Sequence, residues 1–162
     1  MLTVSPMAHS KPVRVVIVDD HPGIRQGLRA MLELCGDYAL CGEAESAAQA
    51  LDIIASEKPD VAIVDISLKG SMHGLELTRQ LKSLHPEVSV LVLSLHGEAE
   101  FADGAIAAGA SGYLSKSEAG EFLPDALQAI LGGETYATPE MQVKLAKAKQ
   151  AGAPRAADDN DL

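Results

Sequence analysis

Val61-Ala62-Ile63-Val64 is an unbroken apolar run that ends on a carboxylate, Asp65. Two valines and an isoleucine among four residues favour a strand, and the lack of apolar/polar alternation favours one buried on both faces. Pro59-Asp60 supplies turn chemistry just before it. Few architectures bury a strand on both sides, and the commonest is a parallel sheet covered by helices. Such a strand presents its last residue at the carboxyl edge of the sheet, where ligand chemistry gathers in open α/β folds. Alone, Asp65 could equally be a turn cap, so the other strands decide its meaning.

The remaining chain repeats the theme. Val13 to Val18 is a second buried run, ending on Asp19-Asp20, and His21-Pro22-Gly23 breaks it. A helix is expected from about Pro22 to Leu34, with Ile24, Leu28, Met31 and Leu32 at helical spacing and Asp20 as a possible cap. Tyr38 to Gly42 reads as a short strand, and Ser46 opens a helix that stops before Pro59. After Asp65 comes a loop, then a helix over Leu75–Leu84 and a strand from Val88 that ends on Ser94. An Ala-rich helix over Glu98–Ala108 follows, then a short strand over Gly112–Ser115, then Lys116. The last long helix is expected over Glu118–Leu131, with regular structure only from about Glu121 because Pro124 suits a first turn. Thr138-Pro139-Glu140 suggests a further short helix to about Gln150, and Ala151–Leu162 shows no apolar periodicity.

Five strands alternating with five helices describe an α/β fold with a parallel sheet and helices on both faces. The 162 residues suffice for one such domain and a tail. Aromatic residues are only 3%, so the core has to be aliphatic and rich in alanine. The net charge of −10 disfavours non-specific binding of nucleic acid or anionic membrane by these residues and suits a cytoplasmic protein that binds cations. Cys35 and Cys41 have no metal-site or disulfide-framework spacing and read as reduced, buried thiols. No apolar run reaches membrane-spanning length.

In a parallel sheet the strand ends share one edge. Asp19, Asp20, Asp65, Ser94 and Lys116 therefore converge. Three clustered carboxylates repel one another unless a cation joins them, and a hard divalent ion such as Mg²⁺ is the natural partner. An ammonium and a hydroxyl beside them suit an incoming anion. A phosphoryl group fits this inventory, with an Asp available as its nucleophile. Each residue alone has an ordinary reading as helix cap, solvated lysine or turn serine; ordinary readings at four strand ends at once are a poor coincidence.

At these residues the chain resembles the receiver domain of two-component response regulators. The resemblance runs from about Val13 to Leu131 and rests on Val16-Ile17-Val18-Asp19-Asp20-His21-Pro22, Val64-Asp65-Ile66-Ser67, Leu93-Ser94 and Gly112-Tyr113-Leu114-Ser115-Lys116. The spacings agree as well: Asp65 lies 45 residues after Asp20, Ser94 29 after Asp65, and Lys116 22 after Ser94. Asp-Asp-His-Pro and Gly133–Glu140 resemble the NarL/FixJ branch, whose members usually carry a LuxR-type helix-turn-helix output domain after the receiver.

The resemblance implies a flavodoxin-like (CheY-like) sheet of strand order 2-1-3-4-5. It implies Asp65 as phosphoacceptor and Asp19, Asp20, Asp65 and the Ser67 backbone carbonyl as the Mg²⁺ site. Ser94 is the implied switch hydroxyl, Lys116 the charge partner of the phosphoryl group and Tyr113 the aromatic switch. The implied partners are a sensor histidine kinase, a second copy in a homodimer, and DNA only through an output domain outside this chain. The domain organisation expected is a flexible tail over 1–11, a receiver over 12–133 and a linker helix with a disordered tail over 134–162. Such a chain is not an enzyme acting on separate substrates; it assists its own phosphotransfer and dephosphorylation.

Three residues stand apart from the pattern. Lys69 occupies the place where the family usually has proline, and the segment from Asp65 to Gly74 is one residue longer than usual. His96 follows Ser94 by two residues and reads as an exposed loop histidine, although its place could influence access of water to a phosphoryl group. His21, beside Pro22, reads as a loop residue of the family rather than a ligand or phosphohistidine. The alternative function is a stand-alone receiver, or a receiver-like module that signals by protein contact without phosphate. A phosphatase of the haloacid-dehalogenase type would place its acids at the end of the first strand two residues apart, whereas Asp19 and Asp20 are adjacent. A flavin protein would place a phosphate-cradling loop where these acids stand.

Overall fold

In the computed structural model the described residues are 11–68, 72–95, 99–138, 141–143 and 146–147. Ten elements alternate: β1 (Val13–Val18), α1 (Pro22–Cys35), β2 (Tyr38–Ala44), α2 (Ala47–Glu57), β3 (Val61–Asp65), α3 (Gly74–Leu84), β4 (Ser89–Ser94), α4 (Ala99–Ala107), β5 (Gly112–Ser115) and α5 (Lys116–Leu131). The strands form one sheet of order β2-β1-β3-β4-β5, every pair parallel. Both the alternation and the strand order agree with expectation. The readings at residues 1–10, Lys69, His96 and 151–162 lie outside the described residues.

Strand parity divides the core in two. Successive side chains on a strand point to opposite faces. Val15 and Ile17 of β1, Val61 and Ile63 of β3, and Leu91 and Leu93 of β4 pack with α1 and α5. Their neighbours Val16, Val18, Ala62, Val64, Val90 and Val92 join α2, α3 and α4 on the other face. Continuous apolar strands are what such a sandwich needs, because neither face meets water.

Several boundaries differ from the sequence reading for physical reasons. β2 extends past Gly42 to Ala44, because parallel pairing with β1 matches Ile17 to Glu43 and Val18 to Ala44. Residues of low strand propensity are held there by their neighbour. α1 is capped by His21, whose side chain makes no cap bond, and not by Asp20. α5 begins at Lys116, well before Glu121, because Ser115 and Glu118 form a reciprocal capping box. Pro124 therefore sits inside the helix. It lies on the exposed face, where water can satisfy the carbonyl left unbonded by its missing N–H. Ser46 caps α2 as expected, accepting from the Gln49 amide at 3.2 Å. Cys35 and Cys41 are free but only partly buried; burial pushes the Cys41 thiol pKa up.

The chain after α5 returns to the sheet. Tyr136 accepts a backbone bond from Tyr113 and donates one to Ser111, bridging the outer edge of β5. Thr138 Oγ1 donates to Glu118 Oε2 at 3.0 Å and accepts from the Met141 amide at 3.2 Å. Ala137 and Met141 are buried in the same layer as Tyr113. Residues 134–138 thus cover the β5 edge, which would otherwise expose unpaired backbone groups. No helix among the described residues is long and apolar enough to cross a membrane.

Candidate functional site

The carboxyl edge of the sheet gathers the polar residues. Asp65 is the last residue of the central strand, in register with Leu93, and its side chain is 0% exposed. Asp19 follows β1 directly, with its amide bonded to the Ala44 carbonyl at 3.0 Å, and its side chain is 2% exposed. Lys116 opens α5 with its side chain 5% exposed. Charged groups are almost never buried this deeply unless paired. Lys116 Nζ lies 2.9 Å from Asp19 Oδ2 and 3.3 Å from Asp65 Oδ2, so one ammonium joins two strands.

The acids are held from several sides. Asp65 Oδ1 accepts from the Ser67 amide and from Ser67 Oγ, each at 3.0 Å. Asp19 Oδ1 accepts from the His21 amide at 2.8 Å. Arg25 on α1 donates to the Asp19 carbonyl at 2.5 Å while its Nε donates to Glu43 at 3.2 Å. Arg29 grips the same Glu43 carboxylate through both oxygens, Nη2 donating to Oε1 at 2.9 Å and Nε to Oε2 at 3.1 Å. The extension of β2 to Ala44 is what carries Glu43 to this edge. Backbone packing also fixes Asp65. A Cβ added at Gly74 would lie 2.2 Å from the Asp65 carbonyl oxygen and 2.6 Å from the Ile66 Cα, so only glycine lets α3 start this close to the end of β3.

The cluster leaves charge uncompensated. Three carboxylates stand against one ammonium. Asp19 Oδ2, Asp65 Oδ2 and both oxygens of Asp20 are buried without a hydrogen bond; the first two face Lys116 and Asp20 Oδ1 faces His21. Buried oxygens of this kind are costly. Acceptor-only oxygens from three carboxylates, converging with one ammonium to balance them, fit a hard divalent cation. Asp19, Asp20, His21 and Asp65 can each offer a ligand atom, all within 4.8 Å of one another.

Ser94 is buried at the end of β4, paired with Ser115 across the edge. It lines a groove of about 520 Å³ together with Ser67, Ile66, His73, Leu75 and Arg79. Tyr113 is 1% exposed and pairs with Val92, two residues before Ser94. By alternation Ser94 and Tyr113 project to the α4 face of the sheet. The structure therefore brings Asp19, Asp20, Asp65, Ser67 and Lys116 into direct contact as one cluster, with Ser94 at its rim and Tyr113 one layer deeper. One residue was missed: His21, read from sequence as a loop residue, places Nδ1 among the carboxylates, 2.7 Å from Asp19 Oδ1, 3.1 Å from Asp20 Oδ1 and 3.6 Å from Asp65 Oδ2. The available signal was Pro22, which holds the preceding residue extended.

A doubly wound domain with this strand order and an acid–lysine cluster at its carboxyl edge is a receiver-type fold. The response regulator receiver domain model matches residues 15–128, and the chain belongs to that family. It is 31% identical over 135 residues to the transcriptional regulatory protein DegU of Brevibacillus brevis, covering 83% of this chain and 57% of DegU. The chain thus spans less than two thirds of that relative. Among solved structures, a LuxR-family response regulator from an Aurantimonas species superposes with a TM-score of 0.80 at 33% identity, covering 85% of this chain and 98% of that one. The isolated receiver domain of RcsB from Salmonella enterica serovar Typhimurium, in the presence of the phosphomimetic BeF₃⁻, superposes with a TM-score of 0.77 at 26% identity, covering 83% and 99%.

Proposed function

We propose that Asp65 is the phosphoacceptor of a response regulator receiver and takes its phosphoryl group from the phosphohistidine of a sensor histidine kinase. The observation that carries this is the Asp65 carboxylate itself: fully buried at the central strand end, with Oδ2 lacking a hydrogen bond and 3.3 Å from Lys116. In the transfer a carboxylate oxygen of Asp65 attacks phosphorus; the P–O bond forms, the P–N bond breaks, and the leaving imidazole keeps the electron pair and takes a proton. Lys116 balances the charge of the phosphoryl oxygens and fixes their direction. Ser67 holds Asp65 Oδ1 so that the carboxylate cannot rotate freely. Asp19, Asp20, Asp65 and the Ser67 carbonyl would hold Mg²⁺. When bound, the ion neutralises charge on the transferring group.

The acyl phosphate adds charge and acceptor oxygens beside Ser94. Ser94 donates to them and moves toward Asp65. Tyr113, on the same face of the neighbouring strand, then repacks against α4. The readout is dimerisation and control of a helix-turn-helix output that binds DNA, as the transcriptional role named for DegU supports. The receiver is read over residues 12–133 with residues 134–138 docked on its β5 edge, after a tail over 1–11 and before a linker, in a cytoplasmic protein.

Intact-mass analysis after incubation with Mg²⁺ and acetyl phosphate, and separately with a panel of phosphorylated histidine kinases, tests this reading. One phosphoryl adduct on the wild type and none on Asp65→Asn is expected. Failure with every donor would favour the phosphate-independent binding module, and an adduct retained in the variant would move the acceptor elsewhere.

A further inference from the structure

Four charged or polar side chains meet around one atom of His21. Its Nδ1 lies 2.7 Å from Asp19 Oδ1, 3.1 Å from Asp20 Oδ1 and 3.6 Å from Asp65 Oδ2, and 3.4 Å from Lys116 Nζ. No other described side chain reaches all three carboxylates. The position is imposed by the backbone. Pro22 at the first turn of α1 keeps His21 extended, at φ −102° and ψ 109°. The His21 amide donates back to Asp19 Oδ1, folding the residue over the cluster. As the N-cap of α1 it makes no side-chain cap bond, so helix capping does not explain the ring.

We propose that His21 Nδ1 is a nitrogen ligand of the divalent ion bound at this edge. The proposal rests on the metal site of the preceding section and adds a donor to it. Two buried side chains with unbonded oxygens, Asp19 and Asp65, point into the same space, and Asp20 contributes two more such oxygens. The candidate ligand atoms are no more than 4.8 Å apart. Ligands on opposite sides of an ion with bonds of about 2.1 Å lie about 4.2 Å apart. Side-chain movements of a few tenths of an ångström therefore suffice. The ring is 42% exposed, so it can make that adjustment without opening the core.

The consequence is selectivity. Three carboxylates suit Mg²⁺, Ca²⁺ and Mn²⁺, whereas an imidazole favours the later first-row ions. A mixed nitrogen and oxygen set raises affinity for Ni²⁺ or Co²⁺ far more than for Mg²⁺. His21 is then a specificity-determining residue of the site.

The full chain loaded with Mn²⁺ gives a direct spectroscopic test. Electron spin echo envelope modulation is expected to show imidazole nitrogen coupling in the wild type and none in His21→Asn. Calorimetric titration is expected to show Ni²⁺ affinity falling about tenfold or more in His21→Asn, with Mg²⁺ affinity falling by a smaller factor. His21→Leu repeats the comparison without an amide oxygen. Mn²⁺ binding without nitrogen coupling would overturn the proposal and leave an all-oxygen site, with the imidazole displaced by the ion. Coupling that persists in both variants would assign it to another histidine and overturn it as well. Failure of the wild type to bind Mn²⁺ would remove the metal-site reading together with the proposal.

Discussion

Helices α5 and α4 cover opposite faces of the same end of the sheet, and they are anchored differently. α5 buries Leu123, Leu127 and Ile130 with Ala119 and Ala126, and it is locked at its start by the Ser115–Glu118 box. α4 is short and, among its described side chains, buries Ala102 and Ala105. A fully buried leucine contributes about 1.5–3 kcal/mol, and a methyl group roughly 0.8. The α5 face is therefore held by large interlocking side chains, whereas the described side chains that α4 buries are alanines. Among the described side chains of α4 a shift sacrifices little packing, which suits the low-stability elements that conformational switches use. The acidic edge sits between the two faces and is tied to α5 by the Lys116 ion pairs.

The contrast can be broken by mutation. Leu127→Ala, in the α5 layer, is expected to cost about 2–5 kcal/mol in urea unfolding. Ala102→Leu, in the α4 layer, is expected to cost about 1–3 kcal/mol by overpacking, toward the lower end because α4 can move outward. A cost above that of Leu127→Ala would show that α4 is as tightly held as α5. At the edge itself, Asp20→Asn relieves repulsion and is expected to raise stability without divalent ions by on the order of 1 kcal/mol. Mg²⁺ should reverse the order of the two proteins, which thermal unfolding with and without the ion would register. Thr138→Val removes the bonds to Glu118 and the Met141 amide and is expected to cost about 1 kcal/mol, with faster exchange of the Tyr113 and Tyr136 amides. Leu34→Ser, 87% exposed at the end of α1, is expected to stay within about 0.5 kcal/mol of the wild type.

How much of this was legible in the chain depends on where each element takes its stability. β1, β3 and β4 were readable because burial on both faces demands continuous apolar runs, and each of these runs ends on or directly before a polar residue at the edge. Asp65 and Asp19 could be placed together from that alone. The extension of β2 to Ala44 was not, since Glu43 and Ala44 are held by pairing with β1 rather than by their own propensity. Pro124 misled the reading of α5 because a helix-breaking residue is tolerated where the cap and the buried leucines outweigh it. Gly132-Gly133 reads as the end of the domain, yet Tyr136 turns back onto β5 through backbone bonds that no side-chain pattern announces. His21 reads as a loop residue because its role comes from a pre-proline turn acting across space.

The most direct test is amide hydrogen exchange of the full chain with Mg²⁺ and acetyl phosphate, or the phosphorylated cognate kinase, beside Asp65→Asn. The account predicts changed exchange in the wild type across 99–115 and at 136–138, with 22–35 and 119–131 unchanged, and no response in the variant. Changes concentrated in α1 and α5, or the same response in Asp65→Asn, would contradict it.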